Sequence, residues 1–287
     1  MIYQKILHYL LFFLLTISFL SCKREDLDLT PSYIQIDSIT LETNSLQGTC
    51  SHNISDAWIY INDEIQGIYE LPCKFPVLAE GNQKLTVRPG IKINGIASTR
   101  MFYPFYEPVT YNIHLVKDST VYLNPSTTYN PSVVFAWLED FEDGGISLER
   151  TNKSQVDIGK TSDMSEVYEG NYSAKIVLDS NRVLFECYTT ENFVLNGNAI
   201  NFLELNYKNN YDVYVGVFAY LSGQTIQRSV LVLNKTDYWK KIYVNLSNAV
   251  QENITAQDFK VFFGIVKDSA DVLIPTVYLD NIKLIHY

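Results

Sequence analysis

Four cysteines and four histidines are the residues of this 287-residue chain best suited to nucleophilic or metal chemistry. Their spacing supports neither. His8, His52, His114 and His286 lie far apart in the sequence, and no Gly-x-Ser-x-Gly, His-Glu-x-x-His or glycine-rich phosphate loop occurs. A metal site built from Cys50, His52 and Cys73 lacks an evident fourth ligand. Carboxylate pairs of the kind that cleave glycosidic bonds are defined by distance in space, so the many Asp and Glu residues select none. The chain therefore reads as a binder, not an enzyme. Cys22 stands apart because of the residues before it.

Upstream lies MIYQKILHYLLFFLLTISFLS, with one lysine, no acid and an apolar block from Ile6 to Leu20. A basic start, a short apolar core and a small residue at the cut form a secretory signal, here residues 1–21. The block is shorter than the roughly 20 apolar residues of a spanning helix. Phe19-Leu20-Ser21-Cys22 resembles a bacterial lipobox, which implies that Cys22 becomes the first mature residue and carries acyl chains (palmitate among them). Each buried methylene adds about 0.8 kcal/mol, so several chains hold a protein on a bilayer without a spanning helix. The charged KREDLDLTPS after it reads as a solvated tether over residues 22–32. Its acids resemble the export signal of Bacteroidota surface lipoproteins, which implies an outer-membrane protein facing the cell surface.

The formal charge of −10 becomes −11 once the single lysine of residues 1–21 is removed. Such a chain repels phosphate backbones, and no basic stripe offsets this, so nucleic acid is excluded as a partner. The 21 tyrosines and 15 phenylalanines, with many Val, Ile and Thr, favour strands. Cys50 and Cys73 either form a disulfide, worth about 3 kcal/mol in the chain-entropy model, or remain free thiols. The sequence leaves both open. The tripeptides DSI, DST and DSA resemble O-glycosylation signals of exported Bacteroidota proteins, with Ser38, Ser119 and Ser269 as acceptors.

The pattern is all-β in two modules. Over 33–124, short alternating runs such as YIQIDSITLET and AWIYINDEIQGIYEL are separated by turn residues every eight to twelve positions, the spacing of a small β-sandwich. The stretch DAWIYINDEIQGIYELPCKFPVLAEGNQKLTVRPGIKINGI resembles PEGA-like and immunoglobulin-like surface domains through Gly67, Pro72, Gly81, Leu85, Val87, Pro89 and Gly90. Gly81 and Gly90 are expected in turns, and the prolines at unpaired edges. The polar LNPSTTYNPSV, 123–133, marks the boundary.

Over 133–287 longer strands succeed it. DFEDG, EGNYSAKI, WKKIYVNL and YLDNIKL resemble the galactose-binding-like jelly roll of many carbohydrate-binding modules. That resemblance implies a structural calcium held by Glu142 and Asp280, with Asp140 and Asn171 as helpers; no other cofactor is expected. Hard oxygen ligands are what calcium takes. In NYKNNYDVYVGVFAY, Val213, Val215 and Val217 share one face, and Tyr214, Phe218 and Tyr220 the other. If the valines are core, the second face is an aromatic platform for a glycan, joined by Tyr207, Tyr211 and Trp239. If the aromatics fill the sandwich, the platform disappears. The leading expectation is a lipid-anchored envelope protein that binds a glycan or partner protein through the jelly roll. The alternative is a structural subunit of an envelope complex that binds no sugar.

Overall fold

The computed structural model describes residues 29–287, together with Tyr3 and Ile6. The expected signal and lipidation site at Cys22 therefore lie outside the described residues. Among those described, no helix is long and apolar enough to cross a membrane.

The chain is all-β. Ten strands build the first module: β1 (Ser32–Ile36), β2 (Thr40–Glu42), β3 (Asp56–Ile61), β4 (Glu64–Glu70) and β5 (Cys73–Val77), then β6 (Gly81–Lys92), β7 (Arg100–Phe102), β8 (Val109–Leu115), β9 (Thr120–Leu123) and β10 (Ser126–Thr128). One sheet runs β4-β3-β6-β7, with β8 also on β6; another runs β5-β1-β9, and β10 pairs β2. Alternation explains the packing: Ile34, Ile36, Ile59, Ile61, Leu85 and Val87 fill the core, while Trp58 and Tyr60 point the other way. Asn62 and Asp63 both take left-handed backbone, so β3 and β4 close as a two-residue hairpin.

The expectations for Gly90 and for Pro89 change. Gly81 does sit at φ 77°, but Gly90 lies inside β6, paired with Asp56. A Cβ at Gly90 would stand 2.8 Å from the Asp56 Cβ and the Trp58 ring nitrogen, so close approach, not a turn, requires glycine there. Pro89 pairs with Ala57 in the same central strand, and its carbonyl accepts the Tyr103 N–H at 2.8 Å. Of the two readings left open for Cys50 and Cys73, the structure has the free thiols. Cys73 lies on β5 opposite Ile36, against the first module's core, whereas Cys50 is exposed on a loop turned toward the second module; both are free thiols, as is buried Cys187.

The second module is a two-layer sandwich. Its strands are β11 (Val134–Glu139), β12 (Leu148–Arg150), β13 (Gly159–Thr161), β14 (Ser173–Val177), β15 (Leu184–Thr189) and β16 (Asn201–Asn209). After these come β17 (Val213–Leu221), β18 (Gln224–Leu233), β19 (Thr236–Asn245), the short helix α1 (Ser247–Gln251), β20 (Asp258–Val266) and β21 (Thr276–His286). One sheet is β13-β14-β21-β16-β19 with β11 on β21; the other is β12-β15-β20-β17-β18. Between them Leu203, Leu205, Val215, Val217, Phe263 and Ile265 form a buried core.

β10 pairs with β2 and so carries the first module past residue 124, and residues 129–133 lead from it to β11 of the second module. The segment is nevertheless packed. Tyr129 is buried with Tyr103, Phe105 and Tyr106 against Phe202, Tyr243 and Ile285 of the second module. Ring pairs such as Tyr103 with Tyr243, 4.9 Å apart, cross the junction edge to face. Beneath them lies fully buried Glu204, which accepts the hydroxyls of Tyr103 at 2.9 Å and Tyr129 at 3.0 Å and faces Lys241 Nζ at 3.2 Å. The aromatic run RMFYPFYEP thus closes a shared core, and the modules form one packed body.

Candidate functional site

The alternation in β17 resolves in favour of an outward aromatic face. Val213, Val215, Val217 and Ala219 are buried between the sheets, which sends Tyr214, Gly216, Phe218 and Tyr220 to the outside of the five-stranded sheet. Tyr214 is 39 % exposed. Its neighbours on that face are Gly216 two residues on, Gly264 of β20 across one ladder and Val232 of β18 across the other. Neither glycine has a side chain to cover the ring.

That face is the inside of a curve. Gln227 of β18 donates from Nε2 to Glu186 Oε2 of β15 at 2.7 Å, although β17 and β20 lie between them. Three strand spacings of about 4.8 Å give about 14 Å in a flat sheet, which side chains standing off its surface do not bridge. The sheet must curl around this face, making a trough. Phe262 lies on its floor, only 2 % exposed, against Gly216: a Cβ there would lie 2.7 Å from the Phe262 ring and collide with the Arg228 carbonyl.

Polar groups are fixed around these rings. Glu186 also accepts the Thr151 hydroxyl at 2.9 Å. Lys260 is held by Glu149 at 3.2 Å and the Thr190 carbonyl at 3.1 Å, with its ammonium 4.3 Å from the Tyr188 ring centroid. Tyr188 meets Phe218 edge on at 5.9 Å, and Phe218 meets Phe262 at 5.1 Å. Burial, aided by Tyr188, Asp258 and Glu149, raises the Tyr220 pKa, so its hydroxyl stays protonated at neutral pH. The trough thus offers one accessible ring at Tyr214, half-buried Tyr188 and Tyr220 over buried Phe218 and Phe262, and oriented donors and acceptors. Such a surface suits a polyhydroxylated ligand with apolar C–H faces.

Three residues expected beside Tyr214 are elsewhere. Tyr207 alternates with Leu203 and Leu205 on β16 and is therefore in the core. Trp239 belongs to β19 in the other sheet, on the opposite side of the sandwich, where it packs 5.3 Å from Tyr168. Tyr211 packs against the core margin, and its hydroxyl accepts the Asp268 N–H at 3.3 Å. Conversely, sequence reasoning misses Tyr188, Lys260, Phe262, Glu186 and Gln227. The alternation of DFKVFFGIVKD carries the signal for Lys260, Phe262 and Gly264, which share a face at spacing two. Nothing local connects Glu186 with Gln227.

The residues expected around calcium divide into two groups. Glu142 accepts the backbone N–H groups of Asn171 and Tyr172 and the Asn171 amide, at 2.7, 2.9 and 2.9 Å, and these bonds hold its pKa low against the opposing effect of burial. Asp140 caps the Glu142 N–H at 3.1 Å. Asp280 is instead buried with Ser173, Asn281 and Glu169, and desolvation pushes its pKa up to about 7. Among the described residues no group of three or more His, Cys, Asp or Glu side chains gathers as a metal-holding set. Of the expected glycosylation acceptors, Ser38 and Ser269 are exposed, and Ser119 donates to the Val116 carbonyl at 2.6 Å.

No protein-family model matches the chain, and no curated protein does. Among solved structures, the family 29 carbohydrate-binding module CBM29-2 complexed with mannohexaose is similar at 11 % identity and a TM-score of 0.35, over 54 % of this chain and 91 % of that one. The family 30 module of the cellulosomal cellulase Cel9D-Cel44B of Clostridium thermocellum is similar at 16 % identity and 0.34, over 54 % and 94 %. Likenesses at TM-scores this low carry no weight for function, which must rest on the residues of the trough itself.

Proposed function

We propose that this chain is a non-catalytic glycan-binding protein, held on the outer membrane by acyl chains on Cys22 and presented at the cell surface. The glycan lies in the trough of the β12-β15-β20-β17-β18 sheet. The observation that carries this reading is Tyr214: a 39 %-exposed ring on a strand whose other face is core, flanked by two glycines. A pyranose stacked on that ring desolvates its apolar face. Glu186, Gln227 and Lys260 are placed to meet sugar hydroxyls, and because each is already held by a neighbour, little side-chain entropy is lost on binding. Glu186 and Glu149 are engaged by Thr151, Gln227 and Lys260, which suits fixed acceptors better than an acid–base pair.

The test is a glycan array followed by Tyr214→Ala. Affinity concentrated in a few rings should vanish with this one. Truncating a surface ring is expected to change stability by no more than about 0.5 kcal/mol, against about 3–5 kcal/mol for a buried aromatic. Retained binding, an array without a hit, or a melting temperature lowered as for a core residue would each refute the assignment.

A further inference from the structure

A cavity of about 470 Å³ opens on the seam between the modules, meeting the trough's edge strand at Val232, the ladder partner of Tyr214. One wall is a tongue of the first module, Lys92 to Ile96, with Asn53; the other is the end of β18, the middle of β19 from Lys240 on, and Tyr207 of β16. The tongue is pinned in place. Asn94 takes left-handed backbone at φ 54°, its N–H donates to the Tyr243 carbonyl at 2.9 Å, and its Oδ1 accepts the Asn245 N–H at 2.9 Å. The NH₂ of the Asn94 side chain is thereby left unengaged.

The cavity's charge is opposite to that of the protein. Its lining contains three lysines and no carboxylate, in a chain of net charge −10. Lys241 turns to Glu204, and Lys92 pairs with Glu70 at 2.9 Å. Lys240 is different: its ammonium lies 4.8 Å from the Tyr238 ring centroid and makes no ion pair among the described residues. Among the described residues, the one charged group here without a counter-charge is the Lys240 ammonium; the Asn94 NH₂ is free beside it, and Asn53 and Asn234 add amide groups. A second cavity of about 390 Å³ continues from Asn94 past Arg228, which faces Glu252 at 3.8 Å. An ammonium without a counter-charge, in a lining without a carboxylate, calls for an anionic ligand. The volume lies within the roughly 300–1,000 Å³ of small-molecule sites, which favour domain interfaces.

We propose that the seam is a second binding site, for an anion of sugar size: an acidic sugar whose carboxylate or sulfate meets Lys240 and the Asn94 amide. The full-length chain is titrated by calorimetry with galacturonic acid, glucose 6-sulfate, neutral glucose and inorganic sulfate, and the titrations are repeated on Lys240→Gln and Tyr214→Ala. At least one acidic sugar is expected to bind about tenfold or more tightly than glucose, and more weakly as salt rises. Lys240→Gln should reduce that affinity about tenfold or more, since charge-assisted hydrogen bonds are the strong ones, and leave the melting temperature unchanged. Tyr214→Ala should leave it intact, so the seam and the trough are tested separately. Equal binding of glucose and the acidic sugars, absence of binding by both acids, or an unaltered affinity in Lys240→Gln overturns the proposal. Binding of inorganic sulfate with exclusion of both acidic sugars overturns the assignment to sugars.

Discussion

Replacing Glu204 by Gln tests whether the buried charges at the junction hold the modules together. Glu204 is fully buried, accepts hydroxyls of Tyr103 and Tyr129, and faces Lys241 at 3.2 Å. Lys283 is buried nearby and donates to the Thr49 carbonyl at 2.6 Å. Desolvation pulls the Lys283 pKa down to about 8, and the Glu204 charge opposes that fall; Lys241 is lowered for the same reason and supported by the same carboxylate. Glutamine keeps the volume and removes the charge, leaving two buried ammonium groups without their main counter-charge. Breaking a buried pair costs about 3–5 kcal/mol. At about 2–4 °C per kcal/mol for a chain of this size, thermal unfolding at pH 7 should occur about 6–20 °C lower.

The pH dependence has a defined sign. Lys283 has a folded pKa near 8, below that of an ordinary lysine, so the unfolded chain binds more protons from about pH 8 to about 10.4. Its burial therefore costs stability below that window, and the cost disappears as pH rises through it. Without Glu204 both lysines fall further, and the deficit of the variant should shrink between pH 7 and 10. Calorimetric melting of both proteins at pH 7 and 9.5 measures this. A deficit under about 1 kcal/mol at pH 7, or one that does not change with pH, would refute the role given to Glu204. Because the tyrosine cluster draws on both modules, the native chain should melt in one transition; two separated transitions would contradict the shared core.

Two further outcomes are expected. Cys22→Ala should abolish acyl incorporation and release the chain from membranes, which labelling and membrane fractionation measure; a variant still labelled and bound would remove the anchor. Asp280, with its folded pKa raised to about 7, binds a proton in the folded state that the unfolded chain has released above about pH 4, so it costs stability increasingly between pH 4 and 7. Melting of Asp280→Asn across that range should gain on the native protein as pH rises, and parallel curves would exclude the effect.

How much could be read from the chain differs by element. The hairpin at Asn62-Asp63 and the inward isoleucines of β3 follow from alternation and turn chemistry, which are local. So does the valine face of β17, although its alternation alone is equally consistent with either face inward. The choice was made by Phe263, Ile265 and Leu205, which meet the valines in the folded core, and by Gly264, which leaves Tyr214 uncovered. Gly90 shows the same dependence: Pro-Gly reads as a turn, yet the approach of Trp58 in the neighbouring strand fixes it as a strand residue.

Composition and short-range pattern determined that the chain is all-β and which side chains alternate in each strand. Those properties depend on neighbours two to four residues away. Tertiary structure alone decided the rest. Glu186 meets Gln227 41 residues later only because the sheet curls, and Trp239 is separated from Tyr214 only because β19 joins the other layer. The junction brings Tyr103 to Glu204 across 101 residues, and the seam sets Asn94 opposite β18 and β19. Each of these sites is made by strand order, curvature and module docking, which arise from the summed burial of many side chains and leave no mark in any single stretch of sequence.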